Sequence, residues 1–134
     1  MIDLQNLNSI LPEFILFICG MLLLVYGAFS NTKKFSNINL LTILSLLLCI
    51  ISVFFVPDSG NIANNTFVNS LLTKYIKIFI LLLALLAVYI SLNYLKKNEL
   101  NVFEYPILLM FSVLGMLVMV SSNDLIFLYI SIEL

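Results

Sequence analysis

Of the chain's 134 residues, 63% are hydrophobic and 10% charged, with no His and no Trp. A water-soluble domain of that size could not hide so much apolar surface, so the composition specifies an integral membrane protein. Six basic and seven acidic residues nearly cancel, leaving no basic surface for a nucleic acid and no electrostatic anchor.

The first apolar segment runs from about Ile10 to Phe29, "ILPEFILFICGMLLLVYGAF". It lacks the basic leader of a signal peptide and carries Glu13 where that charge should be positive, so it reads as a retained transmembrane helix. Pro12 falls in its first turn, where a missing N–H is harmless. Glu13 reads as a structural residue at the interface, eased by the positive end of the helix dipole. The second segment runs from about Ile38 to Val56. Cys19 and Cys49 each sit inside an apolar run without CxxC or other metal-ligand spacing, and both read as small buried hydrophobes. With no histidine, nothing points to a haem, zinc or iron–sulfur centre.

Lysines orient the helices. Lys33 and Lys34 follow the first segment and Lys96 and Lys97 the third, while the connection from 57 to 73 has Asp58 and no lysine. The positive-inside rule then puts the N-terminus and the 57–73 loop outside, and the 31–37 and 96–104 loops inside. Lys74 and Lys77 dissent, and are expected to snorkel from the start of the third helix to the outer interface. The triplet Asn64-Asn65-Thr66 is a formal glycosylation sequon and reads as a chance product of polar turn residues.

The third segment spans about 75–95 and the fourth about 105–120. Each full segment approaches the ~20 residues needed to cross a hydrocarbon core about 30 Å thick. Gly20, Gly27, Ala84, Ala87 and Gly115 are expected to be close-packing points between helices. Glu104 lies at the inner edge of the fourth helix, within reach of headgroups.

The turn "SSND", Ser121 to Asp124, starts a fifth helix at about 124–134, with Asp124 as its cap. Glu133 then lies about 13–14 Å deeper, near the bilayer midplane. An ionisable group there costs about 2.5–3.5 kcal/mol even on lenient insertion scales, which makes Glu133 the candidate functional residue. The fold class expected is an all-α polytopic transmembrane bundle, four full spans plus the first half of a fifth, forming one membrane domain over 1–134.

The stretch "FEYPILLMFSVLGMLVMVSSNDLIFLYISIEL", Phe103 to Leu134, resembles the fourth helix and first half of the fifth in subunit N of bacterial respiratory complex I, called NADH dehydrogenase subunit 2 in mitochondria. "LPEFILFICGMLLLVYGAF" is similar to that subunit's opening helix. The resemblance implies an antiporter-like, proton-pumping subunit of NADH:ubiquinone oxidoreductase. In that family an intramembrane glutamate followed by Leu, matching Glu133-Leu134, pairs with a lysine on a later helix, and further membrane lysines continue the proton path. At most the first third of such a subunit is present. Redox catalysis is not expected in this chain, which shows no Gly-rich loop for NADH or flavin.

Residues 124 to 134 would rise only about 16 Å, half a membrane, and would leave the terminal carboxylate of Leu134 beside Glu133. The expectation is therefore a separate chain that completes helix five and supplies the pairing Lys, or else a truncation. Other membrane-arm subunits and the lipid bilayer are the remaining expected partners. The alternative readings are a non-pumping structural or assembly subunit, or part of a related cation/proton antiporter or membrane-bound hydrogenase. Frequent Asn, Ile, Phe and Lys without a presequence point to the mitochondrial inner membrane, with a bacterial plasma membrane as the alternative.

Overall fold

Helices begin where the chain can satisfy or forgo its first backbone donors. Pro12 and Pro106 each stand in a first turn, in helices α1 (Leu11–Phe29) and α4 (Glu104–Ser121). Between them run α2 (Phe35–Phe55) and α3 (Leu71–Lys97), and a short α5 (Leu125–Glu133) follows. This computed structural model describes residues 10–29, 35–56, 60–62, 67–97 and 104–134. The first four helices are each long and apolar enough to cross a membrane. The architecture is the all-α transmembrane bundle, and the chain is a multi-pass membrane protein.

The start of α3 and the cap of α5 depart from the sequence reading for local reasons. Helix α3 starts at Leu71, four residues before the expected Tyr75, because Ser70 caps it: its hydroxyl accepts from the backbone N–H of Thr73 at 3.2 Å. Asp124 occupies the cap position of α5 in extended conformation, yet its side chain makes no capping hydrogen bond. Its backbone carbonyl instead accepts from Leu128 N–H at 3.0 Å.

The connection read as a polar loop contains two short strands, β1 (Gly60–Ile62) and β2 (Phe67–Asn69). They pair antiparallel with Asn61 opposite Val68. Strand β2 lies against α3 and α4 at the bundle end where α1 and α3 begin. The Asn64-Asn65-Thr66 triplet, Lys33 and Lys34 fall outside the described residues.

Helices α1 to α4 form a ring: α1 packs on α2, α2 on α3, α3 on α4, and α4 closes on α1. Helices α2 and α4 also touch across one diagonal, and α5 packs on α4. The centre is filled by Leu16, Leu46, Leu81, Val88, Met110 and Leu117. Outward faces carry Phe14, Leu22, Leu40, Phe79, Tyr89 and Leu108, all exposed from the chain and suited to lipid or a neighbouring subunit.

Since both faces are apolar, small and polar residues mark the inside. The buried residues of α1 are Pro12, Glu13, Leu16, Gly20, Leu23 and Gly27, a stripe at alternating steps of about three and four. On α2 the inward row is Asn39, Thr42, Ser45, Cys49 and Val53. The Thr42 and Ser45 hydroxyls return to carbonyls three residues back, at 2.8 and 2.7 Å, so they need no partner across the bundle. Gly20, Gly27, Ala84 and Gly115 lie on buried faces as expected for packing points, whereas Ala87 is turned outward.

Candidate functional site

Helices α1 and α3 occupy opposite corners of the ring, and the second diagonal is crossed by charge. Glu13 stands on the α1 stripe, seven residues before Gly20; Lys77 stands on the α3 stripe with Thr73, Leu81, Ala84 and Val88. Both point into the bundle. Lys77 Nζ donates to Glu13 Oε1 at 2.6 Å, with the two side chains only 4% and 7% exposed. Ser121, in the last turn of α4, has one hydroxyl proton to share between the same Oε1 at 3.3 Å and the Leu117 carbonyl at 3.1 Å. Three helices thus converge on one carboxylate oxygen.

This corrects the reading of Lys77, which does not snorkel outward but turns in to meet Glu13; Glu13, in the first turn of α1, is enclosed by the ring. An ammonium and a carboxylate that both leave water gain most from each other, so each directs the other's rotamer. Lys74, one turn closer to the bundle end, does behave as a capping cation, with its Nζ on the Val56 carbonyl at 2.9 Å. From α2, the Cys49 thiol donates to the Pro12 carbonyl at 3.4 Å, fixing the first turn of α1 beside Glu13.

Glu133, the residue singled out by sequence, lies elsewhere. It is the last residue of α5 and is exposed from the chain, while Ser131 alone among α5 side chains is buried. Tyr129, one turn earlier on the same face, hydrogen-bonds the Glu133 carboxylate. The inner face of α5 is drawn close to α4 at Gly115, where an added Cβ would stand 2.7 Å from the Ser131 carbonyl oxygen. Glycine at 115 therefore permits the approach that sets which way Glu133 faces. The structure does not bring Glu133 together with Glu13 or Lys77. Among the described residues no three His, Cys, Asp or Glu side chains gather as metal ligands.

No protein-family model matches the chain. Individual proteins do. NADH-quinone oxidoreductase subunit N from Pelagibacter ubique is 40% identical over 134 residues, covering 98% of this chain and 28% of its own length. The Rhodospirillum rubrum subunit N is 35% identical over 131 residues, covering 96% of this chain and 27% of its own length. The chain belongs to the subunit N family. The subunit N of Paramagnetospirillum magneticum extends the likeness at 33% identity over 135 residues, the whole of this chain. The chain spans 27% or 28% of the length of these subunit N relatives.

Proposed function

We propose that this subunit N homologue works in the membrane arm of a proton-translocating NADH-quinone oxidoreductase, and that Glu133 takes up and releases protons there. The observation that carries the reading is the setting of Glu133: a carboxylate at the end of an apolar helix, facing away from α4. A membrane carboxylate needs a cation or water. Helix α5 leaves that face for other parts of the complex, since the relatives are several times longer than this chain.

In this reading a lysine on a further helix, in this or another polypeptide of the arm, is the counter-charge. Moving that ammonium toward or away from Glu133 changes its hold on a proton. A thousandfold change in proton affinity is worth about 4 kcal/mol, and moving one charge across roughly 170 mV costs about the same. One such pair is therefore scaled to move one proton. Electron transfer from NADH takes place on other subunits. The host is an energy-transducing membrane, the mitochondrial inner membrane or a bacterial plasma membrane.

The test is Glu133→Gln in the intact complex, read in sealed membrane vesicles as protons moved per NADH oxidised, with assembly followed on native gels. The reading expects normal complex levels and a lowered proton ratio. An unchanged ratio at normal complex levels would leave Glu133 without a part in transport.

A further inference from the structure

The Glu13–Lys77 bridge has no part in the reading above, and its hydrogen bonding is lopsided for a strut. Lys77 at 2.6 Å and Ser121 at 3.3 Å both donate to Oε1. The other oxygen, Glu13 Oε2, is buried and, among the described residues, has no hydrogen-bond partner. A buried acceptor without a donor is costly, and a buried ion pair is a poor source of stability that well-packed apolar groups often match. Two charges and an unmet oxygen are thus a strange choice for holding helices together, and a natural one for holding a proton.

The surroundings support that chemistry. Glu13 lies two residues inside the start of α1, so only about 3 Å of helix rise separates it from that end of the bundle. Among the described residues, the titratable or charged groups around it are Lys77 from α3, the Cys49 thiol from α2 on the neighbouring Pro12 carbonyl, and Lys74 a turn nearer the bundle end on the Val56 carbonyl. From α4 the facing group is the neutral Ser121 hydroxyl. Lys77 supplies the positive charge beside Glu13, and Oε2 is the Glu13 oxygen that has no donor among the described residues and can receive a proton.

We propose that Glu13, Lys77 and Ser121 form a second proton-binding site, separate from Glu133, which exchanges protons with the aqueous phase at the bundle end where α1 and α3 begin. In the loading step a hydronium ion gives its proton to Glu13 Oε2; the products are a carboxylic acid and a water. Lys77 keeps its three N–H bonds and Ser121 its O–H bond, and unloading is the reverse. The purpose of the site rests on the reading of the chain as a proton-moving subunit, but its existence does not.

The experiment is infrared difference spectroscopy on the intact complex in native membranes, stepping the pH across neutrality in H2O and in D2O. The wild type should show a carboxylic C=O band that grows on acidification and shifts in D2O, and Glu13→Gln should lose that band. An unchanged set of bands in Glu13→Gln would overturn the proposal. Should Glu13→Gln fail to assemble, the double variant Glu13→Gln/Lys77→Gln, which leaves no unpaired charge, is read in the same way. Failure of the double variant to assemble would make the pair a structural bridge and equally overturn the proposal. The two readings fail separately: proton transport indifferent to Glu133→Gln removes the proposed function and leaves the Glu13 band standing, whereas a missing Glu13 band removes only this site.

Discussion

Glu13 and Glu133 are both carboxylates on apolar helices, and the fold treats them in opposite ways. Glu13 is turned into the ring, where the chain itself provides Lys77 from α3 and Ser121 from α4. Glu133 is turned out from α5, with Tyr129 as its neighbour one turn back. The difference teaches that in a bilayer the partner matters more than the depth. A charge whose counter-ion lies within the same chain can be buried when that chain folds; a charge facing outward from an apolar helix depends on what the rest of a complex brings to it.

The comparison can be broken by single substitutions, with heat-driven loss of the chain from the purified complex as the readout. Lys77→Met should do the most damage, because it strands the Glu13 carboxylate, and breaking a buried pair from one side costs about 3–5 kcal/mol. A cost below about 1 kcal/mol would mean that Glu13 is not held by Lys77. Gly115→Ala comes next, at about 1–3 kcal/mol, because its Cβ would meet the Ser131 carbonyl at 2.7 Å and force α5 away from α4. Ser121→Ala removes one long hydrogen bond to Glu13 and should cost about 0.5–1.5 kcal/mol. Glu133→Gln should change stability least, by no more than about 0.5 kcal/mol, as an exposed substitution does. On the proposed function, the carboxylate least important to stability is then the one assigned to proton transfer.

Much of this was legible in the sequence. The spans follow from length and hydropathy, and the start of α5 from the polar turn before it. That Glu133 falls at the end of α5 follows from counting residues along a helix. The inward faces were harder to see, because hydropathy is silent when lipid and core are equally apolar. The signal that does exist lies in the small residues: Glu13 shares a seven-residue spacing with Gly20 and Gly27, and Lys77 stands seven residues before Ala84. Both charges occupy the stripes that the small residues mark as buried. Ser121 carried no such mark, since its role depends on where the last turn of α4 ends relative to α1. The early start of α3 is written in Ser70, whose hydroxyl accepts from the backbone N–H of Thr73 three residues on, a local signal that hydropathy alone does not register. The strand pair and the uncapped Asp124 side chain are set by tertiary placement, which local propensity does not specify.

The most direct test of the bridge across the ring is a double-mutant cycle on Glu13 and Lys77, using Glu13→Gln, Lys77→Met and the pair together, read as rates of heat-driven loss of the chain from the complex. The account predicts strong coupling: the double variant should be lost at least about tenfold more slowly than the two single effects added together imply, a coupling of about 1.4 kcal/mol or more. Effects that simply add, within about 0.5 kcal/mol, would contradict it and return Glu13 and Lys77 to independent places at the membrane surface.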